Sequence, residues 1–98
     1  MPTKQYTKTG RSCRVTFRLP AEVKAKKAFI CGDFNEWNLK SHPMKKKKDG
    51  SFYATLYLDA GNTYHYRFKL SDGRWENDWE AETYAPNEFG EDNSVITV

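Results

Sequence analysis

The sequence predicts an all-β sandwich, and three observations point to this fold class. Apolar and polar residues alternate with period two in several segments, these segments are short, and Asp-Gly or Gly-Asn turns separate them. No window of about a dozen residues shows apolar spacing near 3.6 residues, so no helix is expected. About six or seven short strands without helices are typical of a β-sandwich.

The first half of the chain contains two predicted strands and one loop. Residues 13–19 alternate strictly between apolar and polar side chains, and Pro20 ends this strand. Residues 21–27 form a polar connection. Residues 28–32 form a short second strand that is apolar on both faces. The segment DFNEWN at 33–38 is predicted to be a loop because Asp and Asn favour turns.

The second half continues with further short strands. Residues 42–47 are predicted as a short strand whose start or edge is marked by proline, and residues 52–58 and 64–70 alternate clearly. In the last of these, the tyrosines, Phe and Leu are expected to face the core, leaving His, Arg and Lys on the opposite face. Residues 76–92 are acidic and irregular, and residues 95–98 close the chain as a final strand.

The length of the chain predicts one domain over residues 13–98, preceded by an N-terminal extension over residues 1–12. The N-terminal residues contain no apolar region of a secretory signal, which favours the cytoplasm, and the final strand indicates a domain with nothing appended. No stretch has the length and hydrophobicity of a membrane span, so no membrane partner is expected. Cys13 and Cys31 are predicted to be reduced strand side chains. A disulfide between them remains open, without specific support.

Charge is distributed unevenly along the chain. Residues 1–71 hold fifteen Lys and Arg against five Asp and Glu, whereas residues 72–98 hold one Arg against eight acids. Such asymmetry can indicate a nucleic-acid surface, but we expect the two parts to share one sandwich and to offset each other. We therefore expect no nucleic-acid partner. The lysine run at 45–48 is interpreted as a solvated loop or a sheet edge.

Three tryptophans lie in turn-like segments, which is an unusual place for a core residue. Trp37 belongs to GDFNEWN, and Trp75 and Trp79 belong to SDGRWENDW. An indole near a loop can stay partly exposed and present a flat apolar face. The pyranose ring of a sugar has an apolar C–H face and a polar rim of hydroxyls. The leading hypothesis is therefore a sugar-binding module.

The signals for catalysis and for metal binding are weak. Asp78 and Glu80 could in principle cleave a glycosidic bond, but they lie in a run of acids that we expect to be solvated. His42 and His65 have no Cys or His close by, which disfavours a metal site. No nucleophile motif or phosphate-binding glycine loop is present. We expect a protein that is not an enzyme and needs no cofactor.

Three segments in this order resemble a known family. They are GDFNEWN at 32–38, DGSFYATLYLDAGNTYHYRFKLSDGRW at 49–75 and FGEDNSVITV at 89–98. The pattern is similar to the family 48 carbohydrate-binding modules, also called isoamylase N-terminal or early-set domains. This family includes the glycogen-binding domain of the AMP-activated protein kinase β subunit. The resemblance implies an immunoglobulin-like sandwich of about 6–8 antiparallel strands, and an α-1,4-glucan ligand such as glycogen, starch or a maltooligosaccharide.

The resemblance also implies which residues bind the glucan. Trp37 and Trp75 match two tryptophans that stack on glucose units in kinase-type members. Arg67 stands where the family has a basic residue that bonds sugar hydroxyls, and Asn93 matches an asparagine with the same role. Phe89 replaces a leucine that inserts into the curved glucan, and this larger side chain could either block or strengthen the grip.

Some alternatives stay open at the level of sequence. Trp79 has no counterpart in the kinase-type pattern and either extends the binding platform or anchors the 76–92 segment, and Tyr84 is similarly ambiguous. Family members fused to enzymes often use this domain as a structural brace. The second hypothesis is therefore a protein-interaction module that docks a glucan-metabolising enzyme or a regulator.

Overall fold

Two antiparallel sheets pack face to face in the computed structural model, which describes residues 1–98. The nine strands are β1 (Thr3–Tyr6), β2 (Ser12–Leu19), β3 (Ala28–Gly32), β4 (Lys45–Lys46), β5 (Phe52–Asp59), β6 (Thr63–Leu70), β7 (Trp75–Glu76), β8 (Thr83–Pro86) and β9 (Asp92–Thr97). Sheet one has the order β1-β2-β5-β4. Sheet two has the order β3-β6-β9-β8, with β7 paired to β6. The predicted all-β sandwich is confirmed.

The helical content is limited to two short 3₁₀ turns, at Ala21–Val23 and Asp33–Asn35. The fold contains no helix with the length and hydropathy that a membrane crossing requires. The absence of any α-helix agrees with the lack of a 3.6-residue pattern in the sequence.

The core lies between the sheets and follows directly from the alternation. Every second residue of β2, from Cys13 to Leu19, is fully buried, and β6 contributes Tyr66, Phe68 and Leu70 from the facing sheet. The rings of Phe17 and Tyr66 meet edge to face across the sheets, with centroids 4.8 Å apart. Burying such aromatic side chains removes much apolar surface from water, which is the main stabilising contribution to a small sandwich.

The two cysteines are free and buried, in agreement with the expectation of reduced side chains. Cys13 lies in β2 of sheet one and Cys31 in β3 of sheet two. Cys31 and its cross-strand partner Arg67 belong to the outer face of sheet two, and both are buried. The outer face of this sheet is therefore covered at this point, and Trp75 of β7 and Glu91 both contact Arg67.

The segment predicted as one strand over residues 42–47 instead divides between the two sheets. Its first part runs along β3, where the Ile30 N–H donates to the His42 carbonyl and the Met44 N–H to the Ala28 carbonyl, both within 3.0 Å. Only Lys45–Lys46 form a strand, and this strand pairs with β5. The four lysines at 45–48 are exposed at this edge, as expected.

Three short strands were not anticipated. β1 lies within the first twelve residues, which the sequence suggested as an extension, and β7 and β8 lie in or at the border of the segment expected to be irregular. Their sequences TKQY, WE and TYAP show no alternation of apolar residues. Backbone pairing to β2, β6 and β9 holds them in place, and this pairing leaves no periodic signal in the sequence.

Candidate functional site

The loop after β3 is folded back on itself by an asparagine. The Asn35 side-chain oxygen accepts the Gly32 N–H at 3.0 Å, and its amide nitrogen donates to the Ile30 carbonyl at 3.1 Å. The Trp37 N–H then donates to the Gly32 carbonyl at 2.9 Å. These bonds turn the chain sharply at the end of β3 and bring Trp37 over the outer face of sheet two.

Asp33 fixes the orientation of the Trp37 indole. One carboxylate oxygen accepts the indole Nε1–H at 3.0 Å, and the other accepts the backbone N–H of His65 in β6 at 2.8 Å. Glu36 and Trp37 both adopt left-handed backbone conformations, with φ of 54° and 58°. Such conformations are costly for residues other than glycine and tend to occur where function demands them.

Gly32 is needed because the loop approaches β6 closely. A Cβ atom at this position would lie 2.5 Å from the His65 carbonyl oxygen and 2.8 Å from the Tyr66 Cβ. Only a residue without a side chain allows this contact. Gly32, the single glycine of GDFNEWN, therefore sets the distance between the Trp37 loop and the sheet.

Trp75 lies next to Trp37 although 38 positions separate them in the sequence. Strand β7 pairs with β6 and places Trp75 opposite Lys69. The two indole rings are 6.5 Å apart between centroids and inclined at 60°. Trp37 is half-buried, and Trp75 is 36% exposed. The two indoles therefore form an angled, partly exposed aromatic pair.

Two cations pack against Trp75. The Lys69 Nζ lies 4.6 Å and the Arg67 Cζ 5.5 Å from the centre of the Trp75 ring. The Lys69 ammonium also donates to the Gly73 carbonyl at 2.9 Å, which ties it to the turn before β7. These cation–π contacts hold the indole in place on the outer face of sheet two.

Arg67 is the basic residue that lies beneath this pair. Only 9% of the residue is exposed, and its Nη1 forms an ion pair with the Glu91 carboxylate at 3.3 Å. Its Nε is buried and has no hydrogen-bond partner. Buried donors are normally satisfied, so Arg67 retains hydrogen-bonding capacity that the protein itself does not use.

A second loop, between β8 and β9, faces the tryptophans. The Asn87 side-chain oxygen accepts the N–H groups of Phe89 at 2.9 Å and Glu91 at 3.1 Å, and its amide donates to the Asn93 side chain at 3.2 Å. Phe89 sits at the tip and is 78% exposed. A large aromatic side chain held in solvent by an ordered loop is a typical feature of a binding surface.

These elements enclose a groove of about 820 Å³ on the outer face of sheet two. The five predicted binding residues Trp37, Arg67, Trp75, Phe89 and Asn93 all line it. The lining residues that the sequence did not indicate are Asp33, Leu39, His65, Pro86, Asn87, Glu88 and Glu91. Asp33 belongs to the GDFNEWN segment, and the two glutamates belong to an acidic run that we interpreted only as solvated.

Trp79 and Tyr84, the two possible additional residues, do not line this groove. Trp79 is 52% exposed and donates its indole N–H to Glu76 at 2.9 Å. It borders a separate, smaller pocket of about 350 Å³ together with Arg18 and Pro20. The Tyr84 hydroxyl donates to the Asp78 carbonyl. Both aromatic side chains are thus held by the 76–80 segment.

Asp78, one of the two carboxylates considered for catalysis, is part of a buried polar network. It is 4% exposed, and it accepts the Tyr66 hydroxyl at 2.7 Å and the Glu80 N–H at 2.9 Å. Its own N–H donates to the Ser94 hydroxyl at 2.9 Å. Burial, together with the hydrogen bond to Asp78, raises the pKa of Tyr66 well above its usual range. The Asp78 carboxylate is therefore committed to holding the 76–82 segment on sheet two.

The chain matches a known family over most of its length. The family model described as carbohydrate-binding module 48 (isoamylase N-terminal domain) covers residues 5–85. The groove residues Phe89, Glu91 and Asn93 lie beyond this match.

Two relatives are similar in sequence. The 1,4-alpha-glucan branching enzyme GlgB 2 of Xanthomonas oryzae pv. oryzae (strain KACC10331 / KXO85) is 32% identical over 71 residues, which are 71% of this chain and 10% of that protein. The protein of the same name in Xanthomonas euvesicatoria pv. vesicatoria (strain 85-10) is 35% identical over 51 residues, 51% of this chain and 7% of that protein. The chain thus spans a tenth or less of the length of these curated relatives.

Proposed function

The chain belongs to the carbohydrate-binding module 48 (isoamylase N-terminal domain) family, and from this premise we propose that it binds α-1,4-glucan without catalysing a reaction. The observation that carries this proposal is the angled pair of Trp37 and Trp75 in a groove that also contains a cation and an exposed phenylalanine. The relatives are named as 1,4-alpha-glucan branching enzymes, which supports the choice of this glucan.

The two indoles are suited to neighbouring sugar rings of a curved chain. Each glucose stacks its C–H face on one indole, and the 60° inclination between the rings follows the turn of an α-linked chain. A flat β-linked chain such as cellulose would need the two rings to be coplanar. Phe89, on the facing loop, contacts the glucan from the other side of the groove.

Polar side chains complete the site because sugar hydroxyls are both donors and acceptors. Arg67 supplies N–H donors, and Asn93 supplies an amide that both donates and accepts. The planar guanidinium offers several donors in a fixed geometry, where a lysine would offer one mobile point charge. Arg67 and Asn93 thereby fix the orientation of a ring that stacking alone would leave free to rotate.

A shallow groove of this kind binds one short oligosaccharide weakly, with a Kd on the order of micromolar to millimolar. Titration with maltoheptaose and β-cyclodextrin, with cellohexaose as the control, tests the proposal by calorimetry. We expect both α-linked ligands to bind and cellohexaose not to. Equal binding of cellohexaose would remove the curvature argument, and no binding of any of the three would contradict the proposed function.

A second candidate function is docking of a glucan-metabolising enzyme, and one observation favours it. The outward positions of β2 and β5 in sheet one carry Arg14, Arg18, Tyr53 and Tyr57, and the single carboxylate among them, Asp59, lies at the end of β5. Tyr57 is 68% exposed, so this face offers an aromatic and basic surface on the side opposite the groove.

Native gels containing amylopectin separate the two functions. Glucan binding predicts retarded migration that Trp37→Ala abolishes and that Tyr57→Ala leaves unchanged. Unretarded wild-type protein that forms a stable complex with a purified branching enzyme, lost in Tyr57→Ala, would favour docking instead.

A further inference from the structure

The groove that we propose for glucan has a negative balance of charge. Its lining residues include three carboxylates, Asp33, Glu88 and Glu91, against one guanidinium, Arg67. Resting on the proposed function, we propose that the groove selects uncharged glucan and excludes segments that carry phosphate esters. Glu88 and Glu91 are the specificity-determining residues.

Arg67 does not serve as a phosphate receptor in this arrangement. Its Nη1 already faces the Glu91 carboxylate at 3.3 Å, and its side chain is only 11% exposed. A phosphate that binds at Nη1 would have to displace Glu91, and the displaced carboxylate would remain on the same short loop. The favourable contact with phosphate is therefore offset by the loss of an existing ion pair.

The other nearby cation is also engaged. Lys69 donates to the Gly73 carbonyl at 2.9 Å and lies 4.6 Å from the centre of the Trp75 ring. It does not line the groove. The one cation that lines the groove, Arg67, is thus already paired with a carboxylate, and Lys69 is held outside it.

The carboxylates suit a neutral sugar for the same reason that they repel a phosphate. Glu88 and Glu91 are exposed, and Glu88 accepts no hydrogen bond within the protein. Carboxylate oxygens accept hydrogen bonds from sugar hydroxyls, which are donors. A phosphate monoester carries about −1.5 to −2 charges at pH 7 and presents mainly acceptors, so it is repelled by the like charges of Glu88 and Glu91.

The outer face of sheet one, on the opposite side of the sandwich, is basic and could bind an anionic ligand outside the groove. Arg14, Arg18 and Lys45 lie on the outer face of sheet one and attract anions non-specifically. An anionic ligand can therefore associate with the protein without entering the groove. The readout must be specific to the groove, and the indole N–H signals of Trp37 and Trp75 in NMR spectra provide it.

The experiment compares two ligands that differ in one group, namely maltoheptaose and maltoheptaose carrying one phosphate monoester. Titrations follow the Trp37 and Trp75 indole signals for wild type, Glu88→Gln, Glu91→Gln and Glu22→Gln. Glu22 is exposed on the 3₁₀ turn at Ala21–Val23, away from the groove, and its replacement makes the same change in net charge. Treating the ester with a phosphatase returns the neutral ligand as an internal control.

We expect wild type to bind the phosphate ester about tenfold or more weakly than maltoheptaose at low salt, and the difference to shrink as salt screens the charges. Glu91→Gln and Glu88→Gln should each reduce the ratio of the two Kd values, ester over maltoheptaose, about threefold or more. Glu22→Gln should leave this ratio unchanged.

Equal or tighter binding of the ester by wild type would overturn the selectivity while leaving glucan binding intact. If Glu22→Gln reduces the affinity difference between the two ligands to the same extent, the effect comes from net charge in general. That result would overturn the assignment of the selectivity to Glu88 and Glu91. Absence of any shift with maltoheptaose itself would overturn both the selectivity and the proposed function.

Discussion

Asp33 links the shape of the site to the sheet beneath it. Its carboxylate accepts one hydrogen bond from the Trp37 indole and one from the His65 N–H in β6, so the ring is tied to the sheet through Asp33 and not by packing alone. The left-handed conformation of Trp37 places the ring over the outer face of sheet two. A binding platform held in this way loses little conformational entropy when a ligand stacks on it.

Replacing single tryptophans tests the assignment of the groove. Trp37→Ala and Trp75→Ala should each weaken maltoheptaose binding by about tenfold or more, because each removes one stacking surface. Trp79→Ala is the matched control, since this indole is exposed but lies outside the groove. Calorimetry measures all three variants. An equal loss in Trp79→Ala would show that the site extends beyond the groove or lies elsewhere.

Gly32→Ala tests whether close approach of the loop to β6 is required. The added methyl would meet the His65 carbonyl at 2.5 Å, and backbone atoms cannot rotate away. We expect a loss of about 3 kcal/mol in the free energy of unfolding, at the upper end for overpacking. In Gly10→Ala the new Cβ would meet nothing within 4 Å, and only the positive φ costs about 1 kcal/mol. Urea unfolding compares the two variants, and similar losses would contradict the steric argument.

At the scale of elements, the segment between β7 and β8 owes its order to a buried polar network. Asp78 connects this segment to Tyr66 in β6 and to Ser94 in β9. The segment is acidic and its sequence shows no periodicity, so its fixed position depends on these few hydrogen bonds. Because β7 carries Trp75 and β8 leads into the Phe89 loop, the same network supports both walls of the groove.

Tyr66→Phe tests this network. The substitution leaves one Asp78 carboxylate oxygen without its 2.7 Å partner in a buried site, and we expect a loss of about 1–3 kcal/mol in unfolding free energy. Tyr64→Phe is the control, since the Tyr64 hydroxyl bonds the Asp59 carbonyl near the surface and its loss should cost less. Equal losses in the two variants would show that burial does not distinguish the two hydrogen bonds.

The same tyrosine predicts a pH dependence. Burial and the hydrogen bond to Asp78 raise the pKa of Tyr66 in the folded state, so above about pH 10 the unfolded state releases this proton first. The wild type should therefore lose stability with rising pH, by up to about 1.4 kcal/mol per unit from this group. Tyr66→Phe lacks this contribution, so the stability gap between the two proteins should narrow from pH 9 to pH 11. A constant gap would contradict the assignment.

The sequence predicted the central strands of the two sheets better than the edge strands. β2, β5 and β6 alternate and bury one face, so their positions and inward residues could be read from period two. β1 and β8 are edge strands without an apolar face, and their existence depends on pairing to distant partners. Lys4 in β1 illustrates this, because its Nζ reaches Glu82 and the Thr97 carbonyl in the other sheet.

The candidate site was predictable where local pattern and family resemblance sufficed. Alternation puts Arg67 on the outer face of β6, and the matching segments indicated both tryptophans. The contact of Arg67 with Glu91 joins residues 24 positions apart, and nothing in an acidic run distinguishes a glutamate that faces a guanidinium from one that faces solvent. That contact requires the packing of β6 against β9 and therefore needed the structure.

At the scale of the whole molecule, the sandwich separates two surfaces of opposite character. The outer face of sheet two carries the groove with its carboxylates, and the outer face of sheet one carries arginines, lysine and tyrosines. The uneven charge along the sequence thus becomes a difference between two sides of the domain. A ligand in the groove would leave the outer face of sheet one free for a different contact.

Because the groove and the basic face lie on opposite sides of the sandwich, the effect of salt on maltoheptaose binding can be predicted. A neutral ligand releases no counterions, so the affinity for maltoheptaose should change less than twofold between about 0.05 M and about 0.5 M NaCl. Fluorescence titration in the two buffers measures it. A steep fall in affinity with salt would indicate that the basic face, and not the groove, governs the interaction.

Observing the three indole N–H signals by ¹⁵N NMR during titration with maltoheptaose is the most direct test of glucan capture. If the angled pair binds the sugar, the signals of Trp37 and Trp75 shift together along one binding curve while that of Trp79 stays in place. Shifts confined to Trp79, or no shift of any indole at millimolar glucan, would contradict the central claim that the angled tryptophan pair captures the sugar.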